Sequence, residues 1–278
     1  MEHAGKHALV TGGGSGIGAG IALALAEAGA EVTITGRRAD KLDEVASLSD
    51  RLHAVVMDVD DEESVRDTIA KAASARGPIQ ICVANAGIAE GGPFEKTTLA
   101  QWRKTMTTNL DGVFLTFQAA MATLEDATPA RMIVVSSIAG VRGLKNAIPY
   151  TVTKHGVIGL IRGLSEEFMR RPITFNALCP GYVDTDIVRN QLPGLMKRFD
   201  VDAQGAIDVI PPKSNRKLPA ECDAEIYRAR NKIERFFGRL KSSFRRIATR
   251  YQKTSRNFLS MIKLASVRLW IEFYEAAA

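Results

Sequence analysis

The first two hundred residues of this 278-residue chain predict an α/β fold in which helices cover both faces of a doubly wound parallel sheet. Short apolar runs, typical of buried strands, alternate there with longer stretches of helical periodicity. Turn-forming or polar residues follow these runs. Because ligands of such sheets bind beyond the carboxyl ends of the strands, those residues form the candidate site.

Six apolar runs are the predicted strands. The first, HALVT at 7–11, leads through a glycine-rich turn into an Ala- and Leu-rich helical stretch that ends at Ala28. Helical patterns separate the later runs and include residues 109–123 and 150–169. The remaining predicted strands are 31–35, 52–56, 79–84, 131–135 and 174–179.

The glycine-rich turn at residues 12–18 predicts a phosphate site. Glycine lets the backbone turn tightly and approach a pyrophosphate, and the free N–H groups at the start of the next helix attract the anion. An ordinary tight turn explains an isolated glycine-rich segment equally well. The strand before the turn and the helix after it favour phosphate binding.

The residues that follow the second run predict which cofactor is bound. An acidic residue at this position would hydrogen-bond an adenine ribose, whereas a guanidinium suits a 2′-phosphate. Here Gly36 is followed by Arg37, so we expect NADP(H), with NAD(H) as the alternative. A solvated turn before a helix is the other interpretation of Arg37 and Arg38.

Tyr150 and Lys154 are the candidate catalytic pair. They lie four residues apart on a predicted helix and so project from one face. A phenol, with a pKa of about 10, is a poor acid or base at neutral pH, and an adjacent ammonium lowers that pKa. Ser137, after the fifth run, can hold a substrate carbonyl oxygen. Asn109, at the head of its predicted helix, would complete a polar relay.

Taken in order, these motifs resemble the short-chain dehydrogenase/reductase family over about residues 5–200. The resemblance implies a Rossmann-type fold and hydride transfer between a nicotinamide cofactor and a carbonyl or alcohol. Six motifs match together, which is far more specific than any one of them. They are TGGGSGIG at 11–18, NAG at 85–87, Asn109, Ser137, YTVTK at 150–154 and PGYVDT at 180–185.

The resemblance implies a role for each matching residue. Tyr150 is the general acid/base, Lys154 modulates its pKa and anchors the ribose, Ser137 holds the carbonyl, and Asn109 is the relay residue. NADP-using members often carry a basic residue where Ser15 stands, which keeps NAD open. The implied cofactor-binding residues are Gly12, Ser15, Gly16, Ile17, Gly18, Arg37, Asp58, Val59, Asn85, Ala86, Gly87, Tyr150, Lys154, Pro180, Gly181, Val183 and Thr185.

Other reactive side chains are assigned no role. His155 is turned about 100° from Lys154 on a helix, and Cys179 is expected to be a small core residue. The sequence has no CxxC pair and no metal-spaced histidine pair, so neither a disulfide framework nor a metal site is predicted. Without a secretion signal or an apolar run of roughly 18 residues, we expect a cytoplasmic protein.

The composition of the chain changes near residue 205. Residues 1–200 contain 21 Lys and Arg against 23 Asp and Glu, whereas residues 201–278 contain 16 against 8. This change and the Pro211-Pro212 pair predict a domain boundary between residues 204 and 205. The domain over 1–204 is the one that the resemblance implies to be NAD(P)-binding, and residues 205–278 form a basic, mainly helical tail. The tail replaces the last strand and the lid expected of the family, so the sixth run would form an open sheet edge.

The tail, over about residues 207–272, resembles the carboxy-terminal end of DDE-type insertion-sequence transposases. The spacing Y-x2-R-x3-E-x6-K is matched by Tyr227, Arg230, Glu234 and Lys241. In those enzymes two earlier aspartates join the glutamate in holding divalent metals. The reductase motifs occupy the preceding residues, so we interpret Glu234 as a relic and do not expect transposition.

Three hypotheses follow from this organisation. The first is a working oxidoreductase for a small carbonyl or alcohol in mostly apolar surroundings, as a homo-oligomer in which a dimer is favoured over a tetramer. The second is an impaired fusion product of a gene disrupted by an insertion element, with a basic tail that binds nucleic acid non-specifically. The third is a product without function.

The residues near the expected substrate pocket are Ile138, Gly143, Leu144, Ile148 and Tyr182.

Overall fold

The structure, a computed structural model, describes residues 2–181. Six parallel strands form one sheet in the order β3-β2-β1-β4-β5-β6, which confirms the predicted doubly wound arrangement. Each strand begins and ends within one residue of its predicted run. The strands are β1 (His7–Thr11), β2 (Glu31–Gly36), β3 (Leu52–Val56), β4 (Ile79–Ala84), β5 (Ala130–Val135) and β6 (Ile173–Leu178).

Helices lie on both faces of the sheet. Buried side chains of α1 and α2 pack on one face, and those of α3, α5 and α6 pack on the other. Along β1, Leu9 is buried on the face covered by α3, α5 and α6, whereas Val10 is buried on the face covered by α1 and α2. Successive side chains of a strand point to opposite faces of the sheet. The helices are α1 (Gly16–Glu27), α2 (Ala39–Ala46), α3 (Glu62–Arg76), α4 (Leu99–Met106), α5 (Gly112–Met121) and α6 (Ile148–Glu167).

The helical region around Asn109 differs from its prediction. Instead of beginning at Asn109, the helix starts with α4 and continues through a π turn, Thr107–Asp111, into α5. Asn109 therefore lies in the middle of a helical run rather than at its head. A π turn holds an extra residue and shifts the helical period, so the apolar pattern before it is out of phase with the pattern after it.

Two cysteines lie in the described residues, and they differ in exposure. Cys82 is buried in β4. Cys179 is exposed, so its prediction as a core residue is wrong; it follows the last residue of β6, beyond the packed part of the strand.

Among the described residues, strand β6 is paired along one edge and buried on one face only. Within residues 2–181 it is the terminal strand of the sheet and pairs with β5. Its Ile173 and Phe175 are buried against the cluster that includes α6, whereas the alternate residues Thr174, Asn176 and Leu178 are exposed. None of the helices in the described range is long and apolar enough to cross a membrane.

Candidate active site

A cleft of about 830 Å³ lies at the carboxyl ends of the strands, where β1 and β4 meet and the strand order reverses. It extends from the end of β2 to the first turns of α6. Val183 and Thr185 lie outside the described residues. The sequence-predicted residues that line the cleft are Gly12, Ser15, Gly16, Ile17, Arg37, Asp58, Val59, Asn85, Ala86, Gly87, Ser137, Tyr150, Lys154, Pro180 and Gly181.

The glycine turn is suited to an anion. Gly12 and Gly16 have φ angles of 66° and 53°, a region that residues with a side chain rarely adopt. Ser15 is the N-cap of α1, yet its side chain makes no capping hydrogen bond, so the first N–H groups of α1 are available to a ligand. A phosphate group fits this arrangement of donors at a positive helix end.

Gly18 lies behind the turn rather than along the cleft. It is buried, and a Cβ at this position would collide with the carbonyl oxygen of Gly12 and the side-chain amide of Asn85. The missing side chain allows α1 to approach the end of β1 closely. Gly18 therefore supports the shape of the turn.

Asn85 holds the glycine turn in place. Its Nδ2 donates to the carbonyl oxygens of Thr11 and Gly12 at 3.0 and 3.3 Å. The backbone N–H groups of Asn85 and Ala86 both donate to Thr11 Oγ1 at 3.0 Å. These bonds join the ends of β1 and β4. Sequence reasoning missed Thr11, although a threonine directly before the glycines was a visible signal.

Three basic side chains line the cleft beyond β2. They belong to Arg37, Arg38 and Lys41. Arg38 Nη2 approaches Ser15 Oγ at 3.5 Å, whereas Lys41 Nζ is paired with Glu44 Oε2 at 2.7 Å. Two exposed guanidinium groups beside a hydroxyl suit a phosphate monoester. The sequence pointed to Arg37, and the structure adds Arg38.

Asp58 and Val59 line the cleft after β3. The carboxylate of Asp58 is engaged locally, because Oδ1 accepts from the N–H of Asp60 at 3.1 Å. Val59 packs against Gly112, where a Cβ would lie 3.0 Å from the Cβ of the valine. The two residues thus form a fixed wall between the basic side chains and the end of β4.

Tyr150 and Lys154 lie together at the start of α6. The Lys154 Nζ is 5.5 Å from the centre of the Tyr150 ring and donates to the carbonyl oxygen of Val135 at 2.9 Å. Lys154 is only 5% exposed. This burial lowers the pKa of its ammonium to about 8.

Burial also raises the pKa of the Tyr150 phenol, and an interaction with the Ser137 side chain opposes the rise. From the sequence we expected Lys154 to lower the pKa of Tyr150, but the net shift of that pKa in the structure is upward. The Nζ of Lys154 is hydrogen-bonded to Val135, and burial of the phenol is the larger effect. Tyr150 therefore carries its proton at neutral pH.

Ser137 adds a hydroxyl donor beside the tyrosine. Its Oγ accepts from the N–H of Ala139 at 3.1 Å and caps the short 3-10 turn Ile138–Gly140. A hydroxyl can accept and donate at the same time, so the O–H of Ser137 still has a proton to donate, to the Tyr150 oxygen or to a ligand in the cleft. A hydrogen-bond donor and a protonated phenol thus meet at one place.

Asn109 does not line the cleft. It is fully buried, and its side chain holds the segment after β4: Oδ1 accepts from the N–H of Ile88 and Nδ2 donates to the Ile88 carbonyl, both at 2.8 Å. His155 is exposed, with Nδ1 3.0 Å from the carbonyl oxygen of Thr151. In the described part of the chain, no group of three or more His, Cys, Asp and Glu could hold a metal ion.

Comparisons with known proteins divide the chain into two regions. A family model described as short chain dehydrogenase matches residues 6–195, and one described as Transposase DDE domain matches residues 181–270. Acetoacetyl-CoA reductase of Rhizobium meliloti (strain 1021) is 36% identical over 182 residues, which are 66% of this chain and 76% of that relative.

Two further proteins are similar to this chain over about three quarters of its length. The 3-oxoacyl-(acyl-carrier-protein) reductase MabA of Mycobacterium bovis is 33% identical over 208 residues, 75% of this chain and 78% of the relative. A crystal structure of actinorhodin polyketide ketoreductase with NADPH has a TM-score of 0.71 and 30% identity, covering 74% of this chain and 81% of that one.

Proposed function

The chain belongs to the short-chain dehydrogenase family and is an NAD(P)-dependent oxidoreductase, and from this premise we propose that it transfers a hydride between NADPH and the carbonyl of a small substrate. One observation carries the proposal. A single cleft joins a glycine turn suited to an anion to the partly buried Tyr150, the buried Lys154 and the Ser137 hydroxyl. Hydride transfer needs both a nucleotide site and a proton donor at a carbonyl.

Cofactor binding is assigned to residues along the whole cleft. The N–H groups at Ser15 and Gly16 would hold the pyrophosphate, and the Lys154 ammonium the ribose next to the reacting ring. The adenine is assigned to Asp58 and Val59. Pro180 and Gly181, at the other end of the cleft, are assigned to the nicotinamide together with Val183 and Thr185, which lie outside the described residues. When bound, the nicotinamide supplies or accepts the hydride.

Side chains at the start of α6 donate and accept the proton of the reaction. Tyr150, protonated because burial raises the pKa of its phenol, donates its proton to the carbonyl oxygen as negative charge develops there. Ser137 donates a hydrogen bond to the same oxygen. Lys154 stabilises the phenolate that remains. In the reverse direction the phenolate accepts the proton of an alcohol.

The arginines at the end of β2 support NADP over NAD. Arg37 and Arg38 lie on the cleft wall, and Arg38 reaches the Ser15 hydroxyl, where a 2′-phosphate would find three donors. We expect fluorescence titration to give at least tenfold tighter binding for NADPH than for NADH. Replacing both arginines by alanine should remove that difference and leave NADH binding unchanged. Equal affinities in the parent chain would contradict the preference.

The test of the reaction is Tyr150→Phe in a screen of carbonyl substrates. Acetoacetyl-CoA is the first compound to try, because the name of one similar protein describes its reduction. Loss of general acid catalysis should slow turnover by about 10² to 10⁴, with NADPH affinity unchanged within about threefold. Turnover at the parent rate in this variant would overturn the proposed mechanism. No binding of either cofactor would overturn the function.

A second function is proposed for the tail, residues 205–278. Its excess of Lys and Arg and the match to a transposase domain favour non-specific binding to nucleic acid. Binding to duplex DNA should weaken steeply with salt and disappear when the chain ends at residue 204. Binding that is absent or independent of salt would contradict it.

We further propose that the tail derives from an insertion element that interrupted a reductase gene. An uninterrupted gene that encodes the same tail at a locus without such an element would contradict this origin. We also propose that the protein is cytoplasmic and that it forms a dimer rather than a tetramer. Sedimentation of the purified chain tests the dimer.

A further inference from the structure

Thr153 connects the side chain of Asn109 to the backbone of Tyr150 by hydrogen bonds. It precedes Lys154 on α6 and is fully buried. Its hydroxyl donates to the carbonyl oxygen of Tyr150 at 2.8 Å and accepts from Nδ2 of Asn109 at 3.3 Å. A hydroxyl can do both at once. Thr153 therefore lies between Asn109 and the backbone of the proposed acid.

The position of Asn109 is itself fixed. Its amide is bonded to both backbone groups of Ile88, and the second N–H of Nδ2 is directed at Thr153. Asn109 lies in the π turn between α4 and α5, whose wider geometry brings a buried side chain from that helix against α6. The series of bonds thus runs from the segment after β4, through the π turn, to the first turn of α6.

The same turn of α6 is held from β5 on its other side. Ser136 Oγ donates to the carbonyl oxygen of Lys154 at 3.0 Å, and the Lys154 Nζ donates to the carbonyl oxygen of Val135 at 2.9 Å. The Tyr150–Lys154 turn is therefore held between two supports. Thr153 supplies the side-chain hydrogen bond that joins it to the π turn.

We propose that Thr153 is a positioning residue for proton transfer. Its hydroxyl transmits the fixed position of Asn109 to the backbone of Tyr150, and thereby sets the distance between the phenol oxygen and the substrate carbonyl. Small errors in that distance reduce the rate strongly, by about 10²-fold for a displacement of 1 Å. This role rests on the proposed function, because it requires Tyr150 to be the acid.

Thr153→Val tests the role, since it replaces the hydroxyl by a methyl group of similar size. We expect kcat for carbonyl reduction to fall by about 10- to 100-fold, while the Kd for NADPH changes by less than about threefold. Thr153→Ser restores the hydroxyl and should return kcat to within about threefold of the parent. If the valine variant does not fold, Thr153→Cys, whose thiol is a weak donor and acceptor, should give an intermediate kcat.

Thr116→Val is the matched control. Thr116 is equally buried, and its hydroxyl donates to a backbone carbonyl of its own helix, that of Gly112, at 2.6 Å. It does not line the cleft. Its replacement should leave kcat unchanged. Because Thr153 acts through Asn109, the double variant Asn109→Ala with Thr153→Val should lose no more kcat than Asn109→Ala alone.

The outcomes separate this role from the proposed function. If the parent chain reduces carbonyls and Tyr150→Phe does not, then a Thr153→Val variant with parental kcat overturns the positioning role. A serine variant as slow as the valine variant, or additive losses in the double variant, also overturn it. A parent chain without turnover, or an active Tyr150→Phe variant, overturns the proposed function itself.

Discussion

Lys154 is the buried cation of the cleft, and its lowered pKa sets an alkaline limit on the proposed reaction. Burial brings that pKa to about 8, so the side chain loses its charge as pH rises through this value. The phenolate of Tyr150 then lacks its stabilising charge. We predict that kcat/KM for carbonyl reduction falls above pH of about 8, measured between pH 6 and 10. A profile that stays flat to pH 9.5 would contradict this.

His7 makes a second prediction at the scale of single residues. The ring is buried, with Nδ1 2.8 Å from the carbonyl oxygen of Gly77 and Nε2 2.8 Å from Oγ1 of Thr33. A carbonyl can only accept, so Nδ1 carries the proton and Nε2 accepts from the threonine. Burial lowers the pKa of His7 below its ordinary value of 6.5, because the charged form is costly there.

The sign of the pH effect follows from this lowering. Well above pH 6.5 the ring is neutral in both states, whereas as pH falls through 6.5 the unfolded chain takes up a proton that the folded chain resists. The free energy of unfolding should therefore decrease as pH falls from 7 to 5. His7→Gln should make that dependence shallower, and His155→Gln, at an exposed position, should not alter it. Equal slopes in all three proteins would contradict the role of His7.

Asn146 carries local backbone strain next to α6. Its φ of 58° lies in the left-handed region, and its carbonyl oxygen accepts from the N–H of Gly92 at 2.7 Å. Asn146→Ala should reduce the free energy of unfolding by about 1 kcal/mol, whereas Asn146→Gly should not reduce it. Urea denaturation measures both, with Lys145→Ala as the exposed neighbouring control. Equal effects of alanine at 145 and 146 would exclude strain.

At the scale of elements, two glycines of α1 make a matched pair. A Cβ at Gly18 would collide with the backbone of Gly12, whereas a Cβ at Gly20 would meet nothing within 4 Å. Gly18→Ala should abolish NADPH binding, since the glycine turn must move. Gly20→Ala should keep binding and stabilise the helix by about 0.5 to 1 kcal/mol. Similar affinities for the two variants would show that the turn is not rigid.

The strands were predictable and the helix around Asn109 was not, for a physical reason. Parallel strands are rich in apolar and β-branched residues, so the approximate ends of such runs are visible in the sequence. A π turn depends on the packing of one extra residue against neighbouring elements, which no local pattern records.

The candidate site also contains residues that were predictable from the sequence and residues that were not. The residues at strand ends and on one helix face were predictable from spacing, as Arg37, Ser137 and the Tyr150–Lys154 pair illustrate. Thr11, Arg38 and Thr153 act through partners distant in sequence: 74 residues from Thr11 to Asn85, 23 from Arg38 to Ser15, and 44 from Thr153 to Asn109. Such contacts appear only when the elements are assembled.

For the whole molecule, the cleft lies where the two halves of the sheet meet. The glycine turn and the basic wall come from the β1-β2-β3 half, whereas Ser137 and α6 belong to the other half. The boundary between residues 204 and 205 remains a prediction, because it lies outside the described residues.

The strand order also determines when, during synthesis, the site can come into being. Strand β1 pairs with β4, and His7 lies opposite Ile79. A nascent chain that has left the ribosome only as far as β3 has its glycine turn, but the Asn85 amide that holds the turn has not yet emerged. Nucleotide affinity should therefore arise only after β4 has been translated and inserted next to β1.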